Sequence, residues 1–492
     1  MLKLVEPEQS GKVALDVYSA DARLSAIVRG LTQQAALATR QFQGTVWMIN
    51  STATGGGVAE MMPTMLKLLN ELGIAARWAV IDSDRPEFFR LTKRLHNLLH
   101  GQIEAGIDLS SEDAQLLAEV GRDNAEQLAH HIKPGDTIIV HDPQPVAMAG
   151  ILKKLVPVHT VWRCHIGVDE RNAATRAAWR FLQPFLSEYD RTVFSAPEYI
   201  PSYLADHAML IYPAIDPNSH KNRELTVHKM VGILCNSGCQ TPYEPLLTEP
   251  FNELVRRIQP NGDIVPPGEI GLLFRPIILQ VSRWDRLKGF KPLLDAFVKL
   301  KKIETPRRKS ALSPRNQQRL ELCRLIFAGP DPRGVSDDPE GKEVFNEIMQ
   351  SYLSLDELLK TDIAILLLPM TSRRENALIV NALQYCASLV VQNSLREGFG
   401  LTVTEAMWKG HAVLGTRAVG IRQQIRDGID GCLTHDPTDS DEIAGHLAGM
   451  LCSPGQRFAM GRSARFRVYE SFLIFSQLGR YLDLFTVLKS AG

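Results

Sequence analysis

The sequence has no excess of charge of either sign. Its 492 residues include 55 Lys plus Arg and 55 Asp plus Glu, so the formal net charge at pH 7 is zero. Nucleic acids and anionic membranes select strongly basic surfaces. The balance therefore argues against both as the main partner, although a few local cations could still hold a small anionic ligand.

Cysteine is sparse, and long apolar runs are absent. The seven cysteines are scattered and odd in number, which does not fit the dense disulfide framework of a small secreted domain. Cys235 and Cys239 form one spaced pair with no second Cys or His cluster, so we expect no metal site there. No apolar run reaches about 18 residues, and the N-terminus lacks the apolar core of a signal peptide. These absences predict a cytoplasmic protein that does not cross a membrane.

Short apolar runs alternate with longer amphipathic stretches along the chain. This alternation is typical of α/β domains whose parallel sheets are flanked by helices. A stretch rich in Pro and Gly at 259–275 resembles a linker, so we expect two doubly wound domains at 1–265 and 266–467, with a C-terminal helix at about 468–490 returning to the first. The predicted strands are 45–50, 76–81, 137–141, 159–164, 191–195, 209–212, 276–281, 325–328, 364–368, 389–392 and 412–414.

Ligands of open parallel sheets bind beyond the carboxyl ends of the strands, so loops after strands are the candidate site. In the first half, Gly55-Gly56-Gly57 follows a predicted strand and precedes a predicted helix. Such glycines let backbone N–H groups approach an anion or sugar hydroxyls, although a tight turn without a ligand has the same sequence. His141-Asp142 and His165 also follow strands, where they could contact hydroxyl groups or simply pack locally.

The loops of the second half carry charge. Arg283 and Lys288 stand five residues apart after strand 276–281, a pattern that suits a diphosphate or, equally, surface ion pairs. Glu397 and Glu405 follow strand 389–392 and flank a glycine-punctuated helix start. Carboxylates there can accept hydrogen bonds from vicinal hydroxyls of a hexose or a ribose, and the amides of 398–402 form an anion site.

These residues resemble the donor site of the retaining glycosyltransferases with the two-domain GT-B fold. The ordered blocks NSTATGGGVAEMMP, HDPQP, WRCHI, QVSRWDRLKG and SLREGFGLTVTEAMWKG are most similar to the glycosyltransferring trehalose synthases and the related retaining trehalose phosphorylases. The resemblance runs from about Val46 to Tyr481 and implies two Rossmann-like domains facing a central cleft.

The resemblance also implies roles for individual residues. Arg283 and Lys288 would bind the diphosphate and act in catalysis with Glu397, which binds the donor hexose, and His165, which touches a donor hydroxyl. Glu405 would hold the ribose hydroxyls. The remaining donor contacts would be Gly56, Gly57, Gly398, Phe399, Gly400, Leu401 and Thr402. The acceptor contacts would be Ser51, Asp142 and Gln144.

The implied reaction moves an α-glucosyl unit from ADP-, UDP- or GDP-glucose to glucose, giving α,α-trehalose. A trehalose phosphorylase or a transferase with another small acceptor is the alternative. No tightly bound cofactor is implied, because Arg and Lys would neutralise the diphosphate. Mg²⁺ could bind but is not required. A homodimer is also compatible with the resemblance. The stretches 304–319 and 236–274 depart from the family pattern and leave the acceptor open.

Overall fold

Two compact units make up the chain. The computed structural model describes residues 2–6, 15–53, 57–102, 107–241, 251–302, 312–333 and 339–490. The first unit comprises Met1–Ala214 together with Leu473–Gly492, and the second comprises Ile215–Phe472. Each contains its own mainly parallel sheet, which confirms the predicted α/β class with two doubly wound halves.

The sheet of the first unit has seven strands among the described residues. They are β1 (Lys3–Val5), β2 (Val46–Asn50), β3 (Ala76–Val80), β4 (Thr137–His141), β5 (His159–Cys164), β6 (Arg191–Phe194) and β7 (Ala208–Leu210). Their order is β1-β3-β2-β4-β5-β6-β7, and all pairs are parallel except β1 with β3. All five residues of β2 are buried, as expected of a strand covered by helices on both faces.

Amphipathic helices cover this sheet. They are α1 (Leu15–Ser19), α2 (Ser25–Gln41), α3 (Gly57–Glu71), α4 (Pro86–Leu99), α5 (Ser111–Ala129), α6 (Met148–Leu155) and α7 (Ala173–Leu186). Helix α5 begins with a reciprocal cap, in which Ser110 Oγ accepts the Asp113 N–H and the Asp113 carboxylate accepts the Ser110 N–H. Short 3₁₀ turns at Pro197–Tyr199 and Ser202–His207 connect β6 to β7.

The sheet of the second unit has eight strands among the described residues. They are β8 (Arg256–Ile258), β9 (Ile264–Val265), β10 (Ile277–Val281), β11 (Arg324–Pro330), β12 (Ile363–Leu368), β13 (Leu389–Val391), β14 (Val413–Thr416) and β15 (Gly431–Thr434). Their order is β15-β14-β13-β10-β11-β12-β8-β9. The six strands from β10 to β15 are parallel, and β8 and β9 extend one edge in antiparallel pairs.

Helices again flank this sheet, and their apolar faces form its core. The helices are α8 (Val227–Asn236), α9 (Phe290–Lys301), α10 (Pro314–Leu322), α11 (Pro339–Leu353), α12 (Glu357–Thr361), α13 (Arg373–Cys386), α14 (Leu401–Trp408), α15 (Val419–Arg422), α16 (Ser440–Cys452) and α17 (Pro454–Ser471). In α9, Phe290, Leu293, Leu294 and Phe297 are all buried, at the spacing of one helical face.

The stretch 259–275, where the linker and the boundary at residue 265 are expected, is part of the second compact unit. The compact units divide between Ala214 and Ile215. The first part of the stretch, 259–265, belongs to a hairpin instead: Gly262 turns the chain between β8 and β9 at a φ of 92°, and β8 pairs with β12 at Leu366 and Leu367. A composition typical of linkers is equally typical of turns in an edge hairpin.

The last helix, α18 (Ile474–Ser490), is grouped with the first unit. It packs on the N-terminal helices through aromatic pairs, Tyr18 with Phe475 at 5.0 Å and Phe42 with Phe485 at 5.3 Å between ring centroids. The side chain of Gln34 donates to the Gly479 carbonyl at 2.9 Å.

The two unusual stretches are described only in part. Of 304–319, residues up to 311 lie outside the described residues, and the rest enters α10. Of 236–274, residues 242–250 lie outside them, and the remainder includes the hairpin of β8 and β9.

Candidate active site

The loop after β10 is anchored against the loop after β13. Asp285 Oδ1 accepts the Leu287 N–H at 2.8 Å and caps a single 3₁₀ turn, Arg286–Lys288. Gly289 follows in the left-handed conformation, at a φ of 59°, and a Cβ atom there would stand 2.1 Å from the Asn393 carbonyl oxygen. Only glycine allows this approach. The contact between the loops fixes where Lys288 lies relative to the residues after β13.

Lys288 and Glu397 form an ion pair at these strand ends. The Lys288 Nζ lies 2.6 Å from Glu397 Oε2, and their side chains are 15% and 13% exposed. Ser394 Oγ donates to the same carboxylate oxygen at 2.9 Å. An ammonium group carries three N–H donors, so Lys288 can hold Glu397 and still offer a donor to an anion.

A tight turn follows Glu397 and opens α14. Gly400 has a φ of 81°, and a Cβ on Gly420 would lie 2.3 Å from the Phe399 Cα, so the two chain segments are in close contact. The Gln424 amide donates to the carbonyls of Phe399 and Gly420. The hydroxyl of Thr402 donates to Gln392 Oε1 at 3.0 Å. These contacts fix the turn, and its N–H groups lie at the positive, N-terminal end of α14.

Glu405 is buried in α14 with half of its carboxylate satisfied. Its side chain is 5% exposed, and Oε1 lies 3.5 Å from Lys221 Nζ. Oε2 is buried without a hydrogen-bond partner among the described residues. A buried carboxylate oxygen without a donor is costly. This atom is therefore a candidate acceptor for a ligand hydroxyl.

Lys409, one turn after Glu405, is nearly buried as well. Its ammonium group donates to the carbonyl oxygens of Lys221 at 2.9 Å and Glu405 at 3.2 Å. Burial lowers the pKa of Lys409 to about 7, and the positive charge of Lys221 lowers it further, whereas the negative charge of Glu405 acts in the opposite direction. Lys409 thereby ties the segment bearing Lys221 to the helix bearing Glu405.

Arg283 is the most exposed of the predicted site residues in this unit. Its side chain is 73% exposed, and its guanidinium lies 3.9 Å from the Asp285 carboxylate. A largely solvated arginine gains little from such a contact. The side chain can reorient toward a ligand at small cost.

In the first unit, Asp142 joins the ends of β4 and β5. It is the non-glycine residue with a positive φ, 62°, among those described. Its N–H donates to the Arg163 carbonyl at 2.9 Å, its carboxylate accepts the His165 N–H at 2.8 Å, and its carbonyl accepts the Trp162 indole N–H at 2.9 Å. Left-handed backbone at a strand end is a recurrent feature of functional sites. Burial raises the pKa of Asp142 to about 6, although the hydrogen bond from the His165 N–H and the charge of Arg163 act to lower it.

His141 and His165 contact each other beside this aspartate. His141 Nδ1 lies 2.9 Å from His165 Nε2, the rings are stacked with their centroids 5.2 Å apart, and His141 Nε2 lies 3.4 Å from Met48 Sδ. Burial lowers the pKa of His141 to about 3 and that of His165 well below its usual range; the positive charge of Arg163 adds to both effects. Both imidazoles are therefore neutral at physiological pH.

Fewer contacts define the remaining predicted site residues of this unit. Gln144 follows Asp142, and its Oε1 is buried without a partner among the described residues. Ser51 is half-buried beside the anchored Asn50, whose Oδ1 accepts the Trp78 indole N–H at 2.8 Å. Gly57 begins α3 and has open space where a Cβ would stand, while Gly56 lies outside the described residues.

Two features are absent from the described residues. None of their helices combines the length and apolarity needed to cross a bilayer. No three or more of their His, Cys, Asp or Glu side chains are grouped as metal ligands would be.

Comparison with known proteins decides the family. Residues 48–201 match the model of the trehalose synthase N-terminal domain, and residues 273–467 match that of the glycosyl transferases group 1. The trehalose synthase of Pyrococcus horikoshii is 34% identical over 445 residues, which cover 90% of this chain and 89% of that protein. The chain belongs to the trehalose synthase family. It is therefore a glycosyltransferase, in agreement with the resemblance on which the sequence prediction rests.

One further relative and one solved structure extend the comparison. The trehalose phosphorylase of Pleurotus sajor-caju is 28% identical over 433 residues, which cover 82% of this chain and 52% of that longer protein. The crystal structure of an α,α-trehalose 6-phosphate synthase from Burkholderia multivorans superposes with a TM-score of 0.65 at 16% identity, over 92% of this chain and all of that one. The structural likeness confirms the predicted GT-B fold.

Sequence reasoning missed four residues: Lys221, Lys409, the buried Arg163, and Met48, which contacts His141. Lys409 is in the same block as Glu405, one helical turn later, so the spacing could have identified it. Lys221 and Met48 carry no local signal, because the contacts that matter join distant segments.

Proposed function

We propose that this family member transfers an α-glucosyl unit from a nucleoside-diphosphate glucose to glucose and forms α,α-trehalose. The bond between glucose C1 and the diphosphate oxygen breaks, and C1 bonds to the acceptor hydroxyl oxygen on the same face. The hydroxyl proton passes to the departing diphosphate. The similarity to trehalose synthases and the chemistry of both sets of strand-end residues support this reaction.

The observation that carries the proposal is the unpartnered Oε2 of Glu405. The buried oxygen needs a hydroxyl donor, and the ribose of a nucleotide offers two adjacent hydroxyls. A donor without a nucleotide, such as glucose 1-phosphate, has no ribose to fill this role. The site therefore favours a nucleotide sugar over the phosphorylase reaction.

The charged residues of the second unit are assigned to the departing group. Lys288 and the N–H groups of Gly398, Phe399, Gly400, Leu401 and Thr402 would stabilise the negative charge that develops on the diphosphate. Arg283, exposed and able to reorient, would add a bidentate contact. Glu397 would accept hydroxyl groups of the donor hexose, because Lys288 and Ser394 already orient its carboxylate.

The first unit is assigned to uncharged groups of the substrates. His165 would contact a hydroxyl of the donor hexose. Asp142, Gln144 and Ser51 would bind the acceptor, and Gln144 has an unpartnered Oε1 to accept a hydroxyl. Gly57 would lie near the donor.

A substrate screen tests the proposal. Purified protein is incubated with ADP-, UDP- or GDP-glucose and with glucose or other small sugars, and release of nucleoside diphosphate and formation of α,α-trehalose are both measured. We expect stoichiometric release of both products with at least one donor. In the opposing arm, trehalose and inorganic phosphate are supplied; formation of α-glucose 1-phosphate there, with no turnover of any nucleotide sugar, would establish the phosphorylase reaction instead.

A further inference from the structure

We propose that Met48 and His141 are positioning residues that hold His165 in one tautomer, so that its Nδ1 accepts a hydrogen bond from a substrate hydroxyl. The arrangement is a chain of three side chains, defined here as the histidine relay: Met48, His141 and His165. The assignment of the ligand as a hexose rests on the proposed function, but the tautomer does not.

The relay consists of two contacts in series. His141 Nε2 lies 3.4 Å from Met48 Sδ, and His141 Nδ1 lies 2.9 Å from His165 Nε2. Met48 is in the centre of β2 and fully buried, and His141, at the end of β4, is 1% exposed. Neither side chain can exchange its partner for water.

The chemistry of the thioether sets the direction of the relay. A methionine sulfur carries no hydrogen, so it can only accept. The proton of neutral His141 is therefore placed on Nε2, toward the sulfur, and the lone pair of His141 is on Nδ1. His165 must then donate from Nε2, because a hydrogen bond needs one donor and one acceptor. The lone pair of His165 remains on Nδ1.

Both rings stay neutral, which the relay requires. A protonated imidazole would place a donor on both nitrogens, and the two rings would then oppose donor to donor. The positive charge of Arg163 acts on both rings, while Asp142 accepts the backbone N–H of His165. Burial and Arg163 together oppose protonation of either ring.

The free end of the relay is at the edge where ligands bind. His165 follows β5 directly and is only partly buried. Its Nδ1 has no hydrogen-bond partner among the described residues, whereas its Nε2 and backbone N–H are both engaged. A hydroxyl that donates to Nδ1 would complete the series.

Nuclear magnetic resonance of the ligand-free protein tests the tautomer directly. Long-range ¹H–¹⁵N correlations on protein labelled with ¹⁵N-histidine distinguish protonated from unprotonated ring nitrogens, and the variants His141→Asn and His165→Asn assign the signals. We expect both rings in the Nε2–H form. Met48→Leu, which keeps the volume but removes the acceptor, should turn this single form into a mixture. A wild-type His165 protonated on Nδ1 would overturn the proposal, whatever reaction the enzyme catalyses.

Kinetics with the donor that supports turnover test the consequence. His141→Leu should raise the donor KM about tenfold with a smaller change in kcat, because one hydrogen bond to the bound donor loses its orientation. His141→Asn, whose side-chain oxygen can still accept from His165 Nε2, should recover most of this loss. Equal damage in both variants, or a loss in kcat alone, would indicate a purely structural histidine. His131→Asn makes the same chemical change at an exposed position and should match wild type.

Discussion

The two units place opposite chemistries at the carboxyl ends of their sheets. In the second unit, charged pairs dominate: Lys288 with Glu397 at 2.6 Å, and Lys221 with Glu405 at 3.5 Å. In the first, two neutral histidines contact each other, and the raised pKa of Asp142 disfavours its charge. We propose that the cations of the second unit contact the anionic diphosphate, while the neutral acceptors of the first unit contact sugar hydroxyls.

The largest expected effect comes from removing the cation of the second unit. Lys288→Ala should lower kcat by roughly 10²- to 10³-fold, because the diphosphate then departs without a buried positive charge. Lys291→Ala is the matched control, since Lys291 follows three residues later and pairs only at the surface with Asp295. Steady-state rates of nucleoside diphosphate release measure both. Wild-type rates in Lys288→Ala would contradict the assignment of charge to this unit.

The next effect is on stability and concerns the first unit. Because the pKa of Asp142 is about 6 in the fold and near 3.8 unfolded, the folded state binds more protons between these values. Its stability therefore falls as the pH rises through that window, by at most roughly 3 kcal/mol. Asp142→Asn, which also tolerates a positive φ, should remove this loss.

Chemical denaturation at pH 4 and pH 8 measures the Asp142 effect. We expect the variant to be more stable than wild type at pH 8, with the difference shrinking toward pH 4. A difference that is independent of pH would show that the pKa of Asp142 is the same in the folded and unfolded states.

A somewhat smaller effect is expected at Glu405. Glu405→Gln should raise the donor KM about thirtyfold, because the hydroxyl contact is weakened and the ion pair with Lys221 is lost. The acceptor KM should stay within about twofold. Glu343→Gln, at an exposed position of α11, serves as the control. A larger change in the acceptor KM than in the donor KM would reverse the assignment.

The smallest effect is expected at Arg283. Its side chain is 73% exposed and makes only a long contact to Asp285, so its replacement by Ala should reduce kcat/KM about tenfold, less than the loss at Lys288. Arg283→Lys should recover part of this loss, because the charge is kept but the bidentate geometry is not. A loss equal to that of Lys288→Ala would mean that Arg283 is as deeply engaged as its neighbour.

The sequence predicts the site best where each residue follows a strand. Lys288 and Glu397 come from loops after β10 and β13, which are neighbours in the sheet, so their contact follows from the parallel order. The apolar runs that mark these strands are unambiguous, because both faces are buried. Both halves of the fold are predictable from local patterns, whereas the ion pair follows only once the strand order is known.

What the sequence hides depends on contacts between distant segments. In the sequence, Met48 looks like an ordinary core residue of β2. The pairing of β4 with β2 brings His141 to its sulfur. Lys221 reaches Glu405 from a loop with no motif. Residues 259–265 belong to the β8–β9 hairpin although their composition predicts a linker, because turns and linkers share a composition.

Calorimetric titration with the nucleoside diphosphate alone, without sugar, is the sharpest test that residues of the second unit, and not His165, bind the diphosphate. The ligand is the diphosphate of the donor that supports turnover, and the proteins are wild type, Lys288→Ala and His165→Asn. We expect Lys288→Ala to weaken binding at least about thirtyfold and His165→Asn to stay within about twofold of wild type. Equal weakening in both variants, or none in Lys288→Ala, would contradict the assignment of the diphosphate to the second unit.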